Sequence, residues 1–255
     1  QRELHDRVPQ AAGVVMAGAP QAGPSSGLTG ITGHIAWPLP ATAVLFDLDG
    51  TLADTAGDLG GALNRLRTDR GLAPLPLDML RPYASAGARG LIGLGLNVHP
   101  GDDEFESLRL AFLAAYDQCL SETTVLFDGV AELLDTLEAQ GLKWGIVTNK
   151  PHRFTLPVLR GLGLETRSGT NISGDSTAHA KPHPLPLLTA CQELGVDPAT
   201  VLYVGDDLRD IQAAQAAKMP SAAAGWGYIG HNGEIASWGA DVIAQQPLDL
   251  LACLR

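Results

Sequence analysis

A doubly wound parallel α/β sheet carrying an inserted helical domain is the fold that this sequence predicts. Three observations predict it. From Ala41 onward, short apolar runs alternate with amphipathic stretches, the order expected when helices cover both faces of a parallel sheet. Carboxylates, hydroxyls and lysines gather directly after the apolar runs, where an open α/β sheet binds its ligands. One interval, the roughly seventy residues between Asp54 and Phe127, far exceeds the usual βα loop of about 2–6 residues and needs structure of its own.

Taken in order, residues 1–40 hold Gly-Ala-Pro and Ser-Ser-Gly clusters without a sustained period. They read as a flexible N-terminal extension that function should survive losing. Val14, Val15 and Met16 are too short an apolar run for a signal peptide. Ala43–Phe46 is the first buried strand. Residues 54–70 and 103–120 carry helical patterns, with a glycine-rich turn, Ser85-Ala86-Gly87-Ala88-Arg89-Gly90, between them. Residues 56–124 are therefore expected to form a helical cap above the first strand, closing over a small substrate and excluding water. Residues 41–55 and 125–255 form the core. Within it, Val130, Leu133, Leu134 and Leu137 recur at helical spacing, and Gly141 ends that helix. A second strand at 144–147 is followed by a helix at 154–162, closed by Gly163. A helix at 184–194, closed by Gly195, leads to a third strand at 201–204. Residues 171–173 and 221–224 are weaker strand candidates.

Composition narrows the partners. The 255 residues include 17 basic and 28 acidic side chains, a formal charge of −11, with no run of Lys or Arg. Nucleic acid and anionic membranes are excluded as partners on that balance, and no apolar run approaches the ~20 residues that span a bilayer. Cys119, Cys191 and Cys253 are scattered and odd in number, which fits a reducing cytoplasm better than a disulfide framework.

The chemistry starts at Asp47-Leu48-Asp49-Gly50-Thr51, directly after the first strand. Two carboxylates this close repel each other and cost desolvation unless a cation or proton compensates. Three more clusters fall on the same sheet edge: Thr148-Asn149-Lys150, Lys181, and Gly205-Asp206-Asp207-Leu208-Arg209-Asp210. Several acidic oxygens suit a hard cation such as Mg²⁺. A threonine hydroxyl with adjacent backbone N–H groups holds phosphate oxygens, and a fixed lysine neutralises phosphate and carboxylate together. That set reads as a phosphoryl-transfer site, in which Asp47 attacks phosphorus and Asp49 serves as acid and then base. Asn149 and Lys150 either shape their loop or face the substrate, while Asp207 and Asp210 also suit the first turn of a helix. Arg89, in the glycine-rich turn, is a candidate anchor for a substrate carboxylate or hydroxyl.

Residues 41 to about 250 resemble the haloacid dehalogenase-type phosphatases, most nearly the phosphoglycolate phosphatase group. Asp47-x-Asp49-Gly50-Thr51, Thr148, Lys181 and Gly205-Asp206-Asp207-x-x-Asp210 are similar to that family's four motifs, in order. Segments 144–151 and 203–211 also resemble bacterial N-acetylmuramic acid 6-phosphate phosphatases. The resemblance implies a Rossmann-like core with a helical cap, and a Mg²⁺-dependent enzyme acting on a small phosphorylated metabolite as monomer or homodimer. It implies Asp47 as nucleophile and metal ligand, Asp49 as acid/base with its backbone carbonyl on the metal, and Asp206 as the further carboxylate ligand. Thr148 and Lys181 would hold the phosphate, and Asp207 and Asp210 would support; Thr51 and Asn149 are further candidates for binding substrate or phosphate. A β-phosphoglucomutase-like isomerase would use the same pair of carboxylates, whereas a dehalogenase lacks the counterpart of Asp49. One departure is Ser168-Gly169-Thr170-Asn171, more polar than the family's fourth strand, which leaves that strand's length open.

Overall fold

Four consecutive apolar residues, Ala43 to Phe46, are buried on both faces in the computed structural model, which describes residues 28–29, 36–230 and 233–255. The strands are β1 Leu28–Thr29, β2 Ala43–Phe46, β3 Ala53–Asp54, β4 Val125–Leu126, β5 Lys143–Val147, β6 Asn171–Ile172, β7 Val201–Gly205, β8 Ser221–Ala224 and β9 Val242–Ala244. The helices are α1 Ala56–Asp69, α2 Leu77–Leu80, α3 Gly87–Leu96, α4 Phe105–Asp117, α5 Val130–Ala139, α6 His152–Gly161, α7 Leu185–Leu194 and α8 Leu208–Ala216.

The main sheet runs β1-β9-β8-β7-β2-β5-β6, parallel throughout except for β1. Alternate residues of β2 face opposite layers, as a pleated strand requires. Val44 and Phe46 pack with Leu133, Leu134 and Val158 from α5 and α6. Ala43 and Leu45 pack with Leu187, Ala190 and Ala213 from α7 and α8. The strand order reverses at β2, with β5 on one side and β7 on the other. Register then sets the site, because Phe46 stands opposite both Ile146 and Val204, so the loops after β2, β5 and β7 open at one level.

Helices α1 to α4 enclose a second apolar cluster, including Leu63, Leu91, Ile92 and Phe112. The chain enters this block after β3 and leaves it at β4, and those two strands pair with each other. Among the described residues no helix is long and apolar enough to cross a membrane.

Two expectations change, and one open question is answered. The glycine-rich segment is a 3-10 helix, Arg81–Ala86, running into α3, rather than a simple turn. Glycine there serves close packing: a Cβ on Gly95 would stand 2.6 Å from Leu63 Cδ2 of α1. The N-terminal extension is structured in part, because Leu28 and Thr29 pair with Ala244 and Ile243, and Leu39 is buried beside Leu254. The rest of that extension, Val14 to Met16 included, lies outside the described residues. The fourth strand, β6, is only two residues long, with Thr170 bonded to Glu193 and Ser168 to Asn171 in place of apolar packing.

Candidate active site

The loop after β2 presents two carboxylates with separate cations. Asp47 is held at the strand end by its N–H, which donates to Val204 O at 2.9 Å. Gly50 then turns the chain at φ 90°, and any Cβ there would overlap the Asp206 carboxylate. Asp47 Oδ1 lies 2.9 Å from Lys181 Nζ. Asp49 Oδ1 instead accepts from Lys150 Nζ at 2.8 Å and from the Thr55 hydroxyl at 2.6 Å.

Thr55 occupies the N-cap position of α1, but its hydroxyl is committed to Asp49 and does not cap. The Tyr228 hydroxyl takes over, accepting from the Thr55 and Ala56 N–H groups at 2.7 and 2.9 Å and donating to Asp54 at 3.0 Å. Arg81 reaches the other oxygen of Asp54 at 2.7 Å. The start of α1 is therefore pinned by the loop after β8 and by the 3-10 helix Arg81–Ala86.

Lys181 is the hub of the buried charges. Its Nζ donates to Asp210 Oδ1 at 2.7 Å, to the Tyr203 hydroxyl at 2.8 Å and to Val147 O at 2.8 Å. Asn149 clamps its backbone from both sides, donating to Lys181 O at 2.8 Å and accepting from Lys181 N at 2.9 Å. Burial alone would lower the Lys181 ammonium, but Asp210 and Asp47 outweigh it and raise it. Lys150 behaves likewise, with Asp49 as its partner and the Tyr116 ring 4.8 Å away. At α8, Asp207 and Asp210 form a capping box, and Arg209 holds Asp207 at 2.7 Å. Burial would raise the Asp207 carboxyl, yet its bonds with Arg209 hold it below the usual range.

The remaining carboxylates are less well compensated. Burial pushes Asp47 up to about 7 despite Lys181, with Asp210 and Asp49 adding repulsion. Burial also pushes Asp206 well above the usual range, helped by Asp47 and Asp210. Asp206 accepts from Thr51 Oγ1 at 3.0 Å, Ser85 Oγ at 3.0 Å and Tyr228 N at 2.9 Å, neutral donors that do not balance its charge. Carboxylate oxygens of Asp47, Asp206 and Asp210 lie within 4.8 Å of one another, and Asp47 Oδ1 is buried without a well-directed hydrogen bond. Three carboxylates, two of them sharing Lys181, offer only oxygen donors and fit a hard divalent cation. The Asp49 carboxylate stands outside that cluster, on Lys150 and Thr55.

Above these groups lies a cavity of about 260 Å³. Asp47, Asp49, Thr148, Lys150 and Lys181 form its polar floor, and Leu59, Phe112, Leu113, Tyr116 and Phe154 its apolar walls. Thr148 also accepts from Lys150 N at 3.1 Å, which sets the loop after β5.

Two anticipated binding residues sit elsewhere, and a third, Asn149, lines the cavity with its amide engaged. Thr51 lies below the cavity, because its hydroxyl is used on Asp206. The Asn149 amide is consumed by the Lys181 backbone, so it positions the lysine. Arg89 is exposed and lines an adjoining groove with Tyr83 and Gly90, since α3 turns it away from the cavity. Lys150, Thr55, Tyr228, Ser85, Arg109 and Arg209 join the site only through tertiary contact. Of these, Lys150 beside Thr148 and Arg209 within the Gly205 to Asp210 cluster carried a signal.

Comparison with known proteins adds independent findings. The profile of the haloacid dehalogenase-like hydrolases matches residues 44–224. The chain is 44% identical over 208 residues to an N-acetylmuramic acid 6-phosphate phosphatase from Pseudomonas putida, covering 82% of this chain and 93% of that one. It is 46% identical over 208 residues to a phosphoglycolate phosphatase from Xanthomonas campestris pv. campestris, covering 82% and 94% respectively. Its fold matches the crystal structure of a "predicted phosphoglycolate phosphatase" from Haemophilus somnus with a TM-score of 0.73 and 29% identity, over 83% of this chain and 97% of that one.

Proposed function

Because this chain belongs to the haloacid dehalogenase-like hydrolases, we propose that it is a Mg²⁺-dependent phosphomonoesterase acting on a small phosphorylated metabolite through an aspartyl-phosphate. One observation carries the reading: Asp47 and Asp49 leave the same loop for the same cavity, each with its own buried lysine. Two carboxylates in different settings can take different roles.

Lys181 orients Asp47, whose oxygen attacks phosphorus as the bond to the leaving oxygen breaks. Asp49 gives that oxygen its proton, so the alcohol departs neutral. Lys150 and Thr55 both bind Oδ1 of Asp49, which leaves Oδ2 to carry the proton. Asp49 then takes a proton from water, the water oxygen attacks the phosphorus of the aspartyl-phosphate, and Asp47 is released with inorganic phosphate. The Thr148 hydroxyl and Lys181 hold the phosphoryl oxygens. Asp47 and Asp206, with Asp210 adjoining, would hold Mg²⁺, which when bound supplies the positive charge this cluster lacks. Helices α1 to α4 act as the cap, excluding water and reading the organic part of the substrate.

The test is phosphate release with Mg²⁺ from phosphoglycolate and N-acetylmuramic acid 6-phosphate, together with acid-quenched mass spectrometry. A phosphoryl adduct on the peptide carrying Asp47 is expected. Turnover with no adduct on that peptide, and undiminished by Asp47→Asn, would overturn the mechanism.

A further inference from the structure

The cavity holds about 260 Å³, and α4 lines it with side chains of graded chemistry. Residues 109, 112, 113 and 116 share one helix face and all line the cavity. Tyr116 stands at the catalytic end, its ring 4.8 Å from Lys150 Nζ and its buried hydroxyl without a well-directed partner. Phe112 and Leu113 follow as an apolar stretch. Arg109 is seven residues from Tyr116, about 10 Å along the axis at 1.5 Å per residue. Polar donor, apolar wall and cation thus succeed one another away from the lysines.

Arg109 is also prepared for an anion. Glu106, one turn earlier, takes its Nε at 2.8 Å and Nη2 at 2.5 Å, which locks the guanidinium in one orientation. Nη1 makes no hydrogen bond or ion pair among the described residues. The other arginine lining the cavity, Arg209, belongs to the catalytic end. It is tied to Asp207 and to Ser85 O at 2.8 Å, and it feels the Asp210 and Asp47 charges. Arg109 feels only Glu106.

We infer that Arg109 determines specificity by binding a substrate carboxylate that lies across a sugar ring from the phosphate. The inference rests on the phosphatase reading of the same site. In phosphoglycolate a single methylene separates carboxylate from phosphoester oxygen, so a phosphate seated over Asp47 leaves the carboxylate far short of Arg109. In a 6-phosphosugar with a carboxyl-bearing ether at carbon 3, the pyranose ring and its methyl groups fill the stretch beside Phe112 and Leu113. The carboxylate then arrives at the guanidinium.

The experiment compares N-acetylmuramic acid 6-phosphate, N-acetylglucosamine 6-phosphate, which lacks only the lactyl ether, and phosphoglycolate. The wild type is expected to prefer the first by kcat/KM. Arg109→Gln should cut that preference about 10- to 100-fold, the range for a hydrogen bond to a charged group, chiefly through KM. Arg109→Lys should restore part of it. Equal losses on both sugars, an unchanged preference, or a wild-type preference for phosphoglycolate would each overturn the assignment. Release of phosphate from none of the three by the wild type would remove the phosphatase reading as well. A thermal melt of the variant reads folding separately, and the exposed Glu106 pair predicts little change.

Discussion

Replacing Lys181 with methionine asks whether one buried ammonium holds the carboxylate cluster together. The side chain is 3% exposed and touches Asp47, Asp210, Tyr203 and Val147 O, all within 2.9 Å. Methionine keeps most of the volume and none of the charge, so Asp47 and Asp210 stay buried without their cation. Breaking a buried pair in this way costs about 3–5 kcal/mol. For a chain of this size that lowers Tm by roughly 6–20 °C. The cost has a definite pH dependence. Asp47 already sits at about 7 against an ordinary 3.8, because burial outweighs Lys181, and losing Lys181 lifts it further. A carboxyl raised in the folded state loses stability as pH climbs from its unfolded value through its folded one, since the unfolded chain releases its proton first. The penalty should therefore be smaller at pH 5 than at pH 8. Urea unfolding at both values in EDTA measures it, with the m-value checking that the denatured state is unchanged. A loss under about 1 kcal/mol at pH 8, or a larger loss at pH 5, refutes the reasoning.

Asp47→Asn should cut phosphate release by more than about 10³-fold. The metal-free variant should melt higher than the wild type at pH 8, because burial disfavours the Asp47 charge there; a lower Tm contradicts this. EDTA should silence the enzyme and Mg²⁺ restore it, with Mg²⁺ at a hundredfold excess over its Kd adding about 2.7 kcal/mol of stability. Asp206→Asn should abolish that Mg²⁺-dependent rise in Tm, and a retained rise would move the ion elsewhere. Tyr228→Phe removes the hydroxyl that accepts two N–H groups of α1, and should cost about 1–3 kcal/mol in urea unfolding; an unchanged midpoint denies it the capping role.

Legibility in the sequence followed the range of the interactions. Strands β2, β5 and β7 could be read directly, because parallel strands buried on both faces are uninterrupted apolar runs. The carboxylates and lysines at their ends were equally plain, since topology alone brings those ends to one edge. Helix α3 was hidden by Gly87 and Gly90, which look like a turn, while Gly95 further along it serves contact with Leu63 of α1. Thr51 looked like a phosphate ligand, although its hydroxyl answers to Asp206, 155 residues away. Tyr228 was invisible for the same reason, being 172 residues from the helix it caps. Arg109 carries no signal in the sequence, because only the course of α4 brings it to the cavity.

Tyr228 touches both halves of the site with opposite ends of one residue. Its N–H bonds Asp206 among the strand ends, and its hydroxyl holds the first turn of α1. A cation held at Asp206 would act on the helix through this link, beside the Ser85 hydroxyl that also joins Asp206 to the helical block. Thermodynamic reciprocity makes the traffic two-way: a cation that shifts the disposition of α1 by some factor has its own affinity shifted by that same factor. Under the proposed mechanism, ion binding and closure over the substrate would thereby be joined, and the affinity measured for either one would carry a contribution from the other.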